Sequence, residues 1–586
     1  MQRARSLQRD DNSIIIHFDY DCFYASVVEN ENPALKSVPL AIQQKQIVVT
    51  CNYEARRRGL RKLQLITEAK KVCPEAVIVL GEDLTRFRDA SKQLYNFLRD
   101  SIWSGRAERL GFDEVWLDCT DMVNYNIGLL NRHDLAHSFF CMSKDDPTIG
   151  FEYNASTVFG PTYPTDSSNT TQLSETDREL RLRLVLGSHL ARHLRHELES
   201  RMGYTSTVGI ATNKLLSKLV GNLNKPKNQT TIVPPYEPVA SSESSVAQFI
   251  DSHDIGKIPG IGFKLAHKIR GHVLGRDPAF SEGLVYGGTK ESVTVFDVRS
   301  HPGMGPDLLE EILGGSGSPK GIGGKIWELI HGIDDMEVGK AKRVPSQISQ
   351  EDSYMKYLHT FDEVKKQLHL LGERLIRRMQ MDLLEADDED DHRRRWMAHP
   401  RTLRLSTRPR PPPGPDGVRA RTFHRISRSE PMPNFVFNLN EPTTILADKL
   451  VETALVPMFR ALHIEKTGWN LSLINVAATN MAEAAADTKD SAGRDIAGMF
   501  RRQDDVLKDF RVAIEHDHVD DHMLIDAVLT SNRSPGAAVS ESRDDILDGW
   551  ESEDSDSQPL ERCEFCQSSM PAFALSAHRR FHELSN

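Results

Sequence analysis

At 586 residues the chain is too long to be organised around one hydrophobic core, so several domains are expected. No apolar run approaches the ~18 residues of a membrane span, and the N-terminal MQRARSLQRDDNS lacks the apolar stretch of a secretory signal, which argues against membrane-spanning and exported classes. The formal charge of −11 is concentrated between residues 478 and 562, where 21 acidic side chains face nine basic ones; the remainder is near neutral and free to present a basic cleft to phosphate.

Residues 1–12 are polar and predicted to be disordered. From about residue 13 to 235, short β-branched runs (IIIHF, IVVT, AVIVL, VWLDC) read as buried strands. DLTRFRDASKQLYNFLRD and LGSHLARHLRHELESRM have helical spacing, and the polar stretch between about 131 and 177 reads as an insertion loop. Residues 236–342 are glycine-rich with short helices, and 344–479 mix strands with helices. ADDEDDHRRR and RPRPPPGPDG interrupt that last region and are expected to loop out as a disordered segment over about 385–420. The acidic, aromatic-poor stretch 480–558 reads as a disordered linker, and 559–586 as a compact Cys/His segment. Seven cysteines, five of them scattered singly through the first 141 residues, fit a reducing, intracellular compartment without a disulfide framework.

Strand IIIHF runs into Asp19, Tyr20 and Asp21, and about ninety residues later GFDEVWLD places Asp113 and Glu114 beside another strand. Carboxylates at the ends of two buried strands can converge at one sheet edge, where bridging oxygens can hold a pair of divalent cations. Oxygen-only donors favour Mg²⁺ or Mn²⁺. TCNYEARRRGL and NKLLSKLVGNLNKPKNQT supply donors for a triphosphate: Tyr53 and Arg56, three apart at a helix start, and Lys225 from another side. Lys214 and Lys218 read as the solvated face of a helix. Acidic residues beside strands are often only turn residues, so each cluster is weak alone.

HFDYDCFYASV, TCNYEARRRGL, GEDLTRFRD, GFDEVWLD and NKLLSKLVGNLNKP occur in this order, and together they resemble the Y-family DNA polymerases. The run PLAIQQKQIVVTCNYEARRRGL is most similar to the iota branch of that family, and the resemblance extends over roughly residues 13–478. It implies an α+β right hand: a ferredoxin-like palm (13–235) with small fingers inserted at about 23–83, a helical thumb (236–342) and a βαββαβ little finger (344–479). The implied activity is low-fidelity, DNA-directed translesion synthesis without proofreading, on primer–template DNA and deoxynucleoside triphosphates, in the nucleus. Asp19, Asp113 and Glu114, with the Tyr20 carbonyl, would be the metal ligands, and Tyr24 the steric gate against ribonucleotides. Tyr53, Arg56 and Lys225 would hold the triphosphate, and Gln44, Lys45, Ile47 and Val49 would face the templating base. KIPGIGFKLAHKIR resembles a helix-hairpin-helix in which Gly260 and Gly262 admit a DNA phosphate. Two rivals keep part of this pattern: a palm-type nucleotide cyclase, and a scaffold for ubiquitin or DNA with an inactive polymerase fold.

Cys563-x2-Cys566-x11-His578-x3-His582 has the ligand types and spacing of one structural Zn²⁺ site. The segment resembles the ubiquitin-binding zinc finger of the eta branch, with Phe573, Leu575 and Ala577 for an apolar contact and Arg580 where those fingers carry an acid. Ile496, Met499 and Phe500 resemble a degenerate sliding-clamp-binding peptide.

Overall fold

The computed structural model describes residues 7–165, 173–238, 244–279, 289–315, 318–342, 344–387, 390–409, 425–465, 469–483, 560–562 and 569–571. The folded body divides into two compact units, one over Met1–Ala341 and the other within Lys342–Ile546.

The first unit begins β1 (Ile15–Tyr20), α1 (Phe23–Glu31), β2 (Leu40–Gln44), β3 (Ile47–Cys51), α2 (Tyr53–Arg57), α3 (Ile66–Val72), β4 (Val77–Leu80), α4 (Thr85–Asp100), β5 (Ala107–Leu110) and β6 (Glu114–Asp118). It continues α5 (Thr120–Gly128), β7 (Ser138–Cys141), β8 (Gly150–Tyr153), β9 (Thr162–Tyr163), α6 (Glu175–Met202), β10 (Ser206–Ala211), α7 (Lys214–Val220) and β11 (Gln229–Ile232). Buried on both faces, β1 sits inside a six-stranded sheet ordered β5-β6-β1-β10-β11-β9, pairing antiparallel with both β6 and β10. The two faces are set by the period of two. Ile14, Ile16 and Phe18 are fully buried and Gly187 of α6 packs on Ile14 and Ile210, so α6 covers that face. Gly209 turns the other way: a Cβ there would come within 1.9 Å of the Ser217 carbonyl, so its bare backbone is what lets α7 lie on the opposite face. His17, Asp19, Glu114 and Trp116 share the parity of that α7 face.

β2, β3 and β4 form a separate three-stranded sheet ordered β3-β2-β4, with a small core of Ala41, Val48, Cys51, Ala55, Leu60, Ala69 and Cys73. Beyond β11, α8 (Ser245–Asp251), α9 (Phe263–Leu274), α10 (Val295–Ser300), α11 (Pro306–Leu313) and α12 (Ile322–Leu329) pack on Ile255, Ile258, Ala266, Ile269 and Ile326. The expected turn is present: Gly260 has φ 87°, a Cβ there would come within 3.0 Å of Leu329 Cδ1, and Gly262 caps α9 in extended conformation.

The structure corrects three expectations. Residues 7–12, expected to be disordered, are tied down: Arg9 lies over the Tyr236 ring and donates to its carbonyl, and Asp11 accepts from Thr212 at 2.7 Å. The insertion at 131–177 contains the β7–β8 hairpin, whose Phe140, Phe151 and Tyr153 pack against His189 and His193 of α6; alternating aromatics outweigh its polar average. The third lies in the second unit.

That unit runs β12 (Ile348–Leu358), α13 (Phe361–Leu383), β13 (Leu384–Asp387), β14 (Asp390–Trp396), β15 (Ala398–Pro409), β16 (Ile426–Pro431), α14 (Thr443–Leu450), α15 (Val456–Leu462) and β17 (Leu471–Glu483). The sheet is antiparallel with order β12-β17-β15-β16, and Leu368, Leu371, Leu375, Ile376 and Met379 of α13 join its core. The segment 385–420 was expected to loop out, yet β13 and β14 pair as a hairpin and β15 lies inside the sheet. Its buried Leu403 and Leu405 alternate with Thr402, Arg404 and Ser406, a strand pattern masked by the surrounding charge. Residues 410–424 lie outside the described residues.

In the tail, β18 (Leu560–Arg562) pairs antiparallel with β19 (Ser569–Pro571). Cys563, Cys566, His578 and His582 lie outside the described residues, as do Ile496, Met499, Phe500, Phe573, Leu575, Ala577 and Arg580. Among the described residues no helix is long and apolar enough to cross a membrane.

Candidate active site

The strand register assembles the carboxylates. Asp19 stands directly opposite Glu114 in the β1–β6 pairing. Gly111, with φ 66°, turns the chain between β5 and β6 and leaves Asp113 at the strand entrance. The Tyr20 amide donates to the Asp113 carbonyl at 2.8 Å, which locks the two strand ends together. Three carboxylates are thereby collected on one edge of the sheet, as expected.

Their electrostatics are those of a crowded, partly dehydrated anionic site. Burial pushes the Asp19 carboxyl up to about 6 against the opposing pull of Lys225, and the charges of Glu114 and Asp113 push the same way. Asp113 is raised by burial first and by Glu114 second. Two lysines offset part of this charge: Lys225 Nζ lies 2.5 Å from Asp19 Oδ2, and Lys218 Nζ lies 2.6 Å from Glu114 Oε2.

Among the described residues, no three carboxylate, imidazole or thiolate groups close on a common point at metal-ligand range. The reason for this spacing lies in the pairing. Carboxylates of like charge repel, and here each of two turns to its own lysine. The donor chemistry nevertheless fits a hard divalent cation, because the set is all oxygen and desolvated.

Around this edge sit the other predicted residues. Tyr24, on the first turn of α1, stacks on Phe87 of α4 with ring centroids 4.3 Å apart. Burial, and then the charge of Asp113, push its phenol up to about 12. Tyr53 and Arg56 share one side of α2 as expected: the guanidinium lies 4.5 Å from the Tyr53 ring centre, and Arg56 Nε donates to the Cys51 carbonyl. The Tyr53 phenol is pushed up by burial and then by Asp21, with a smaller push from Asp19. Gln44 and Ile47 are partners across the β2–β3 hairpin, Lys45 occupies its turn with φ 52°, and Val49 sits at the irregularity between the Gln43–Val48 and Ile42–Thr50 pairs. Gly260 and Gly262 belong to the helical region and not to this edge.

Sequence reasoning missed what supports the carboxylates. Lys214 and Lys218 are not a solvated helix face: Lys214 pairs with Glu108 at 2.6 Å, Lys218 pairs with Glu114, and both ammonium groups lie beside the Trp116 ring. The signal was their i,i+4 spacing on a helix, set against the adjacent strands that carry Glu108, Glu114 and Trp116. His17 is buried against Trp116, and burial, then Lys218 and Lys225, keep it neutral.

A model of the impB/mucB/samB family matches residues 18–222, and the model of that family's C-terminal domain matches residues 345–491. The chain belongs to this family, the Y-family polymerases. Human DNA polymerase iota is 32% identical over 469 residues, covering 80% of this chain and 52% of that protein. Mouse DNA polymerase iota is 34% identical over 370 residues, covering 63% and 43% respectively. DNA polymerase IV of Citrobacter koseri is 26% identical over 369 residues, covering 62% of this chain and 77% of that protein. The chain thus spans about half the length of the iota proteins it matches. All the candidate residues from Asp19 to Lys218 fall inside the first Y-family segment, and Lys225 lies just beyond its end. The second segment begins where the second compact unit does.

Proposed function

We propose that this chain is a DNA-directed DNA polymerase that extends primers past damaged template bases with low fidelity. The observation that carries this reading is the edge where Asp19, Asp113 and Glu114 meet beside Tyr24, Tyr53 and Lys225. Residues 13–235 act as the palm, about 23–83 as the fingers, 236–342 as the thumb and 344–479 as the little finger.

Asp19, Asp113, Glu114 and the Tyr20 carbonyl would hold two Mg²⁺ or Mn²⁺. Bound there, such ions lower the pKa of an attacking hydroxyl and offset charge on the departing pyrophosphate. Lys225 and Arg56 supply cationic donors to the triphosphate and Tyr53 a hydroxyl, which orients the chain of phosphates without covalent chemistry. The Tyr24 ring, held by its stacking on Phe87, would be the gate that excludes a ribose 2′-hydroxyl. Gln44, Lys45, Ile47 and Val49 border the templating base from one hairpin. Gly260, with no side chain, and Gly262 at the start of α9 accept a phosphate of the duplex.

The tail serves recruitment in the nucleus. Cys563, Cys566, His578 and His582 hold one structural Zn²⁺, a reading supported by the β18–β19 pairing that brackets both cysteines in sequence. Phe573, Leu575 and Ala577 offer ubiquitin an apolar contact, and Ile496, Met499 and Phe500 offer a helical turn to a sliding clamp.

Primer extension with each deoxynucleotide supplied singly tests the polymerase reading, with Glu114→Ala as control. Template-dependent addition lost in the control is expected. Tight primer–template binding without any addition, in either Mg²⁺ or Mn²⁺, would leave the inactive scaffold standing. Turnover without primer–template would favour the cyclase. For the tail, zinc content and titration of residues 557–586 with ubiquitin and with duplex DNA decide; duplex binding alone overturns the recruitment role.

A further inference from the structure

Two residues past Asp19 stands a second buried carboxylate, Asp21, 3% exposed, to which the proposed chemistry gives no task. Both of its oxygens are engaged by protein donors. Oδ1 accepts from the Thr207 hydroxyl at 2.7 Å, and Oδ2 accepts from the Lys227 backbone N–H at 2.9 Å. Its main chain is held as firmly: the Asp21 N–H donates to the Thr205 carbonyl at 3.0 Å, and its own carbonyl accepts from the Ser26 hydroxyl at 2.6 Å. The end of β1 is therefore fixed to β10 and α1, and the carboxylate reaches from that fixed point to a loop.

The loop is the one that carries Lys225. Asn224 and Lys227 have φ of 56° and 47°. Lysine adopts this left-handed region only where its surroundings enforce it. Two anchors do so. Asn224 Nδ2 donates to the Thr230 hydroxyl at 3.1 Å at one end, and the Lys227 N–H donates to Asp21 at the other. Between these anchors Lys225 extends its ammonium to Asp19. Without the acceptor at Asp21 the Lys227 N–H loses its partner, and the next backbone hold lies one residue further on, where the Asn228 carbonyl accepts from the Val208 N–H at 3.0 Å.

We infer that Asp21 is a positioning residue: it clamps the 224–227 loop so that the Lys225 ammonium is presented to the triphosphate beside Asp19. The inference rests on the proposed role of Lys225 in holding the triphosphate. It makes the geometry of the acceptor, and not its negative charge, the essential property. An asparagine can reproduce that geometry, its oxygen taking the Lys227 N–H while its amide donates to the Thr207 hydroxyl, which also accepts.

The test measures equilibrium affinity for the matching deoxynucleoside triphosphate on a chain-terminated primer–template, together with melting temperature, in the full chain. Asp21→Ala is expected to weaken nucleotide binding about tenfold, the scale of one buried donor left unpaired. Asp21→Asn is expected to stay within about twofold of wild type, and Lys225→Ala to weaken binding at least as much as Asp21→Ala. Combining Asp21→Ala with Lys225→Ala should add little to Lys225→Ala alone. If Asp21→Ala does not fold, Thr207→Val removes one partner at nearly constant volume and should shift nucleotide affinity in the same direction. An unchanged affinity in Lys225→Ala overturns the triphosphate reading itself. A weakened Lys225→Ala with an unaffected Asp21→Ala overturns only the clamp, as do additive losses. Equal losses in Asp21→Asn and Asp21→Ala also overturn it, in favour of a role for the charge.

Discussion

β1 and β6 are hydrogen-bonded on both sides within the six-stranded sheet, with fully buried Ile16, Phe18, Val115 and Leu117 beneath them. The three-stranded sheet of β2, β3 and β4 shares Leu40 and Ile42 of β2 with that large core, but its other face rests on only seven buried residues, five of them alanine or cysteine. It leaves Leu63, Leu65, Val72, Val77 and Leu80 substantially exposed. Deep cores open rarely and shallow ones often. The carboxylates thus stand on a deeply cored sheet, and Gln44, Lys45, Ile47 and Val49 at the hairpin end of a sheet with one shallow face. Under the proposed function this divides the labour: in-line chemistry demands fixed oxygens, whereas a base-facing surface that yields discriminates little between one base pair and another.

The sharpest way to break that contrast is at the rigid edge. Asp113→Ala or Glu114→Ala should lower the rate of nucleotide addition by about 10³-fold or more while primer–template affinity stays within about twofold. Either variant extending primers at the wild-type rate would remove the edge from the chemistry.

Next in size is a stability effect of the same edge. The Asp19 carboxyl is raised to about 6 from 3.8, so the folded state prefers its protonated form. A raised acid contributes stability that is present below the unfolded value near 3.8 and is lost as pH climbs through about 6. The loss amounts to about 3 kcal/mol by neutral pH. Asp19→Asn should therefore raise the melting temperature in chelator at about pH 7.5, and the advantage should shrink towards pH 4. A variant less stable than wild type at the higher pH would mean that the Lys225 pair outweighs burial.

At the border of the two regions, Tyr24→Ala should raise the ribo- to deoxynucleotide incorporation ratio by roughly 10- to 100-fold with deoxynucleotide addition retained. An unchanged ratio removes the gate from Tyr24.

The legibility of the molecule follows the same division. Strands such as IIIHF and VWLDC were readable because burial on both faces demands unbroken β-branched runs, and the carboxylates at their ends came with them. Tyr53 and Arg56 were readable from spacing alone. What escaped were contacts between segments distant in sequence. Lys218 looks solvated until α7 is laid across Trp116, and Asp21 has no role until Thr207 and Lys227 close on it. The β15 strand escaped for a different reason: charge averaged over a window hid its alternating leucines. The three-stranded sheet was the least legible of the described regions in its function, since Ile47 and Val49 serve a sheet core as readily as a base.

The smallest predicted effect tests that sheet directly. Gln44 Nε2 donates to the Gly81 carbonyl at 2.7 Å, tying the end of β2 to the chain just beyond β4. Gln44→Ala removes one part-buried neutral hydrogen bond, worth about 1 kcal/mol. The global melting temperature should scarcely change, because the large core around β1 is untouched. Hydrogen exchange in residues 40–51 should quicken by several-fold, since that opening is local. Single-nucleotide insertion opposite the four template bases should change unevenly, by a few-fold at most, because under the proposed function the hairpin borders the base and not the phosphates. An equal loss of about tenfold opposite all four bases would show that the hairpin is mechanically continuous with the carboxylate edge, and the contrast between the two regions would fall.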